Sequence, residues 1–181
     1  MKKTFSILTF IFAMSVINLY SQEDASREGF TFSAEIRHMI GKGNHTYDEV
    51  TYKGDVRANS LRLYAGYFFT PQVNLNLGIG ADRYNKYLGE NTLPLFIQSK
   101  YYISPKRNSF YFAGEGGIQL TPADTFEKGY LLAAFAGKEF SFKNNRTALN
   151  LHLGYNYHKS KFAIVDANKH AIFLGVAFMI K

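Results

Sequence analysis

The chain contains no cysteine, which excludes a disulfide framework, thiolate metal ligands and a lipid-modified cysteine anchor. After residue 22 no stretch holds a helical period for three turns, and there is no low-complexity tract, linker or second domain. The balance is basic, with formal net charge +7, yet no basic stripe with a nucleic-acid motif accompanies it, so nucleic acid is not an expected partner. Gly41-Lys42-Gly43 is not a phosphate loop, because the required Gly-x-x-x-x-Gly-Lys-Ser/Thr spacing and following helix are missing.

What is present begins with an export signal. Lys2 and Lys3 form a charged start, Phe5 to Ile17 an apolar run too short for a spanning helix, and Leu19-Tyr20-Ser21 a small-residue cut site. The expectation is a signal peptide over 1–21 and a single β-barrel domain over 22–181. Loss of Lys2 and Lys3 leaves 19 Lys+Arg against 14 Asp+Glu, a net +5. Exported and basic, such a chain has phosphate-bearing lipid and lipopolysaccharide as expected anionic neighbours.

Aromatics make up 17% of the chain and glycine occurs 15 times, both suited to strands that pack tightly in a barrel. Period-two alternation predicts eight strands at 29–40, 58–69, 73–83, 93–103, 109–120, 129–142, 146–157 and 170–180. Tight turns at Thr70-Pro71-Gln72, Ser104 to Asn108 and Lys143-Asn144-Asn145 alternate with long connections at 41–57, 84–92, 121–128 and 158–169. Short turns on one side and long loops on the other are the habit of a transmembrane barrel, whose long loops face the cell exterior. Leu75, Leu77 and Ile79 oppose Asn74, Asn76, Gly78 and Gly80; Leu149, Leu151 and Leu153 oppose Asn150, His152 and Gly154. Hairpin register across Asn144-Asn145 pairs Phe140 with Leu149. That turns Phe140, Ala136 and Leu132 outward and Glu139, Gly137 and Phe135 inward. Lys138 then faces lipid and must snorkel.

A soluble, lipocalin-like periplasmic barrel binding an apolar ligand would show the same period with the faces reversed. Against it, the polar faces here carry mostly Gly, Asn, Ala and Ser rather than Lys and Glu. Aromatics also crowd both strand ends: Tyr67 to Phe69, Tyr101 and Tyr102, Phe110 to Phe112, Phe140 and Phe142 at one rim; Tyr84, Tyr87, Tyr130, Tyr155 and Tyr157 at the other. Two such belts match the girdles of membrane barrels.

On these residues, and on the closing run Ala171-Ile172-Phe173-Leu174-Gly175-Val176-Ala177-Phe178, the chain resembles the small eight-stranded outer-membrane β-barrel proteins of the porin-like superfamily. Pro94-Leu95-Phe96-Ile97 through Lys100-Tyr101-Tyr102-Ile103, with Gln22 after the cut, resembles Bacteroidota members. The resemblance implies an all-β, antiparallel up-and-down barrel in the outer membrane, built by the barrel-assembly machinery, and no activity or cofactor. Such proteins usually end on an aromatic residue; this one ends Phe178-Met179-Ile180-Lys181.

An eight-stranded barrel is about wide enough for side chains to fill, which argues against a broad pore. The inward charges are Glu35, Arg37, Arg62, Asp82, Lys100, Glu115 and Glu139, three positive and four negative, with Gln98, Gln119 and Asn150 between them. Near-balance is what buried charges require, so a polar plug is expected rather than an ion path. Arg83, Lys86, Lys159, Lys161 and Lys169 are candidates for contact with lipopolysaccharide phosphate at the outer rim. His158-Lys159-Ser160 resembles the His-x-Ser pair of outer-membrane lipid A deacylases, with Lys161 in place of the following Asn and with Asp166 or Glu127 to orient the imidazole; an acyl hydrolase using His158 and Ser160 is therefore the alternative. His45, Asp48 and Glu49 lack a fixed metal-ligand spacing and read as solvated loop residues, so no metal is expected. The main expectation is a non-enzymatic barrel that serves the envelope or binds an unknown surface ligand through its long loops.

Overall fold

The computed structural model describes residues 27–86, 91–121, 127–142, 146–162 and 165–181. The expected signal peptide, Gln22 and Tyr87 lie outside them. Eight antiparallel strands follow in chain order: β1 (Gly29–Tyr47), β2 (Val50–Thr70), β3 (Val73–Lys86), β4 (Asn91–Tyr102), β5 (Phe110–Thr121), β6 (Glu127–Ser141), β7 (Thr147–Phe162) and β8 (Val165–Ile180). Each pairs with its chain neighbours, and β1 pairs with β8, which closes the barrel. The expected all-β, up-and-down architecture is the observed one.

Register sets the geometry of the ring. Stepping between paired residues from Phe32 through Ala65, Leu77, Ile97, Gly116, Leu132, Tyr157 and His170 returns to Lys42, ten residues further along β1. With a rise of about 3.3 Å per residue and strands about 4.8 Å apart, that stagger tilts the strands by about 40° on a cylinder about 8 Å in radius. A line at right angles to the strands therefore climbs about 3 Å per strand toward the extracellular end.

Side chains alternate strictly. Phe32, Ile36, Leu61, Leu77, Ile97, Leu132, Leu153, Ile172 and Leu174 stand exposed on the outer wall, while Arg37, Arg62, Gln98, Glu139 and Asn150 are fully buried. Apolar outside and polar inside is the reverse of a soluble carrier, and the strands of the wall pair around a closed sheet, as a bilayer demands. Phe140 pairs with Leu149 as the hairpin register requires. Lys138 lies outward, its ammonium 5.1 Å from the centre of the Phe110 ring and 5.2 Å from that of Phe140. These aromatic faces stabilise a cation near the lipid boundary.

Two sequence expectations need correction. The 41–57 connection is not a long loop. β1 and β2 continue as a paired ladder to Tyr47 and Val50, joined by Asp48 and Glu49, both in the left-handed region at φ 45° and 65°. Polar alternation above the membrane carries no apolar signal, so these water-exposed strand ends read as loop. Likewise β7 runs on to Phe162 and β8 begins at Val165, leaving little of the expected 158–169 loop. The aromatic belts are also thinner than expected. Phe69, Tyr101, Phe110, Phe112 and Phe142 face outward, but Phe68, Tyr84, Tyr102 and Tyr111 are buried inside, because consecutive aromatics on a strand must point to opposite faces.

Candidate functional site

The lumen is where buried chemistry concentrates. All seven inward charges named from the sequence, Glu35, Arg37, Arg62, Asp82, Lys100, Glu115 and Glu139, are buried on the inner face. Arg37 lies at their centre. From β1 its Nη1 and Nη2 donate across the barrel to the two carboxylate oxygens of Glu115 on β5, at 2.8 and 2.5 Å. Its Nε donates to Glu35, and Nη2 also reaches Tyr64 Oη at 2.9 Å. Arg62 Nη1 donates to Glu115 Oε2 at 2.7 Å, and Gln98 Nε2 to Glu115 Oε1 at 2.6 Å. Tyr64 Oη donates to Glu35 Oε2 at 2.6 Å. His152 joins the same group, with Nε2 2.9 Å from Glu35 Oε1 and Nδ1 3.0 Å from Tyr111 Oη. Aromatic faces line the cations: Phe173 lies 4.4 Å from the Arg37 guanidinium, Phe96 4.8 Å from that of Arg62, and Tyr111 5.3 Å from the Lys100 ammonium.

The two mouths are crossed separately. Toward the extracellular end, Ser60 Oγ donates to Asp82, whose other oxygen lies 3.8 Å from Arg62 Nη2. Above them His158 Nδ1 on β7 meets Tyr84 Oη on β3 at 2.7 Å, a bridge between opposite walls. At the periplasmic end Arg27, ahead of β1, turns into the barrel. Its Nε donates to Glu139 Oε1 at 3.0 Å, and its Nη groups donate to the carbonyls of Pro71, Ser104 and Lys106 at 3.2, 2.9 and 2.6 Å. Tyr102 lies 4.2 Å beneath the guanidinium. Glu139 Oε1 also accepts from Lys181 Nζ at 2.8 Å and from Ser141 Oγ at 2.9 Å. Burial pulls the Lys181 ammonium below its usual pKa, against the opposing pull of Glu139.

Arg27, His152, Tyr64 and Lys181 were absent from the expected charge set. His152 was legible on the polar face of its strand, and Arg27 keeps the odd-numbered inward parity of β1. Lys169 is a correction. It was expected at the rim facing lipopolysaccharide, but it is buried, with Nζ 4.0 Å from the centre of the Tyr84 ring. Its odd number puts it on the inner face with Ala171 and Phe173. Among the described residues, adding Arg27 and Lys169 changes the expected three-to-four balance to five cations and four carboxylates.

Arg83 lies on the outer wall and Lys159 is part-exposed there; Lys86 and Lys161 belong to β3 and β7, but their side chains lie outside the described residues, as do those of Asp166 and Glu127. His158 and Ser160 share the inner face and are both buried, but the structure does not join them: His158 Nδ1 is on Tyr84, and neither His158 Nε2 nor Ser160 Oγ has a hydrogen-bond partner among the described residues. His45 stacks on Tyr52 at 5.0 Å, and no group of three metal-ligating side chains forms among the described residues.

The overall form can now be compared with solved structures. Neisserial surface protein A superposes with TM-score 0.65 at 16% identity, over 87% of this chain and 99% of that one. The fold is that of the small outer-membrane β-barrels. OprG from Pseudomonas aeruginosa aligns with TM-score 0.49 at 13% identity, over 86% of this chain and 98% of its own. The barrel domain of OprF from Pseudomonas aeruginosa aligns with TM-score 0.43 at 18% identity, over 82% and 97%. The sequence matches no protein-family model and no curated protein.

Proposed function

We propose that this chain is a non-enzymatic barrel of the bacterial outer membrane, with a lumen plugged by its own polar side chains and with extracellular hairpins that present a surface. The bidentate Arg37–Glu115 pair carries this reading, because it spans the lumen from β1 to β5 with neither partner exposed. A fixed, desolvated pair in the path of a solute blocks passage and costs several kcal/mol to separate. The lack of a hydrogen bond between His158 and Ser160 among the described residues, and the inward direction of both, argue against acyl transfer, since a lipid A ester lies against the outer wall.

Envelope support and surface contact follow from the scaffold. The β1–β2 hairpin continues beyond the apolar belt as a paired ladder, and the outward directions of Arg83 and Lys159 support contact with lipopolysaccharide phosphates. The Bacteroidota-type assignment rests on segment 94–103 and Gln22.

Reconstitution in planar bilayers tests the plug. The wild-type protein is expected to carry negligible current, and the double variant Arg37→Ala/Glu115→Ala to open a measurable narrow conductance. A large wild-type conductance would remove the plugged-barrel reading. Lipid A acylation compared between cells expressing wild type and Ser160→Ala should be identical; an acyl pattern that depends on Ser160 would restore the hydrolase.

A further inference from the structure

The outer wall carries two recesses that share one residue. The lower is a groove of about 700 Å³ over β4 to β8, floored by Ser99, Gly114, Gly116 and Ala134 between Ile97 and Leu132. Tyr155, Tyr157 and His170 close its upper end. The second, of about 590 Å³, is formed by Lys42, Asn44, Lys53, Asp55 and His170. His170 belongs to both, so the apolar groove runs into a cationic pocket.

The barrel's stagger aligns them. Gly116, Leu132, Tyr157, His170 and Lys42 form one row at right angles to the strands. At about 3 Å per strand, Lys42 lies roughly 12 Å closer to the extracellular side than Gly116. Half of a bilayer's hydrocarbon core is about 15 Å, so the row leads from the hydrocarbon interior to headgroup level.

The glycines are not required by packing. A Cβ on Gly116 would meet only Leu132 Cδ2 at 3.5 Å, and one on Gly114 only the Ala133 carbonyl oxygen at 3.9 Å. The outward space is open, and larger residues would fit without displacing the wall.

We propose that this surface binds a phosphorylated, multiply acylated glycolipid of the outer leaflet, with acyl chains in the Gly114–Gly116 groove and headgroup at Lys42, Lys53 and His170. The inference rests on the outer-membrane reading above. Three observations select the occupant. The groove crosses strands spaced about 4.8 Å apart over roughly 20 Å of wall, room for several chains side by side. Lys42 and Lys53 supply charge for a phosphate. Asp55, 2.5 Å from Lys42 and exposed like it, supplies an acceptor for sugar hydroxyls, which an ordinary glycerophospholipid headgroup would use less well. At the junction Tyr155 Oη meets His170 Nδ1, and the Tyr157 ring lies 4.9 Å from the imidazole, so the shared residue is held in place.

The test uses the full chain refolded in detergent, with bound lipid counted by native mass spectrometry. The probes are lipid A, dephosphorylated lipid A and phosphatidylethanolamine. Gly114→Leu/Gly116→Leu should fold, shown by heat-modifiable migration, and bind both lipid A forms about tenfold more weakly, as losing contact with two methylenes suffices for that. Ala34→Leu, on the lipid-facing wall outside the groove, should bind as wild type does. Lys42→Gln/Lys53→Gln/His170→Gln should weaken binding of lipid A but not of its dephosphorylated form. Equal binding by wild type and the groove variant would overturn the proposal. So would phosphatidylethanolamine binding as tightly as lipid A, or a groove variant that abolishes self-association instead. A wild-type protein that fails to fractionate with the outer membrane would remove the underlying reading instead.

Discussion

Replacing Glu139 by glutamine tests whether the periplasmic mouth is held by charge. Glu139 accepts from Arg27 at 3.0 Å and from Lys181 at 2.8 Å through the same oxygen, and it is fully buried. Glutamine keeps the shape and one carbonyl acceptor but removes the negative charge from between two cations. Removing one partner of a buried pair costs about 3–5 kcal/mol. Arg27 keeps three backbone carbonyls and the Tyr102 ring as partners, so the lower end, about 3 kcal/mol, is expected.

Urea titration of the protein folded into lipid vesicles reads this loss as a shifted midpoint at constant slope. Arg27→Met, made alone and in the Glu139→Gln background, completes a double-mutant cycle. Arg27→Met should cost less in the Glu139→Gln background than in the wild type, since methionine there relieves an unpaired buried cation. A Glu139→Gln cost under about 1 kcal/mol, the range of exposed pairs, would refute the reasoning, as would equal costs of Arg27→Met in both backgrounds.

Three further outcomes follow from other parts of the barrel. Gly175→Val should abolish folding as judged by heat-modifiable migration, because a Cβ there would lie 2.0 Å from His152 Nε2, which is itself tied to Glu35. Exchange of Asp48-Glu49 for Asn-Gly should stabilise the β1–β2 hairpin by about 1 kcal/mol, since both positions are left-handed and glutamate is strained there; hydrogen exchange at Tyr47 and Val50 measures it. Tyr84→Phe removes the hydroxyl that meets His158 Nδ1 and should raise exchange of the extracellular ends of β3 and β7, leaving the Arg37–Glu115 centre protected.

The barrel was legible because a membrane wall imposes period two on every strand, and the hairpin register was enough to orient β6 through the Phe140–Leu149 pair. The strand extensions were not. Beyond the lipid belt Lys42, Asn44, Lys53 and Asp55 face water on the outer wall, and the apolar contrast that marks a strand vanishes while the ladder persists. The lumen was half legible. Parity on established strands placed Glu35, Arg37 and Glu115, but the pairing of Arg37 with Glu115 joins strands four apart in order, and no local pattern encodes a contact across the barrel. Lys169 falls just before the expected strand 170–180, and β8 begins at Val165, so only the extended strand gives it an inward parity.

Lys181 takes part in the ring closure at its periplasmic end. β8 pairs with β1 as far as Ile180 and Phe32, so Lys181 stands one residue past the last rung. Its backbone N–H donates to the Arg146 carbonyl at 2.7 Å, which ties Lys181 to the start of β7. An aromatic residue there would add apolar surface to the girdle; a lysine instead reaches Glu139 on β6, two strands away. Arg27, just ahead of β1, meets the same carboxylate from the other side of the seam. Arg27 and Lys181 are thus held by one buried side chain on the two sides of the β1–β8 ladder. Separating the seam at its periplasmic end would leave Glu139 without both cations, a cost that backbone pairing alone would not impose.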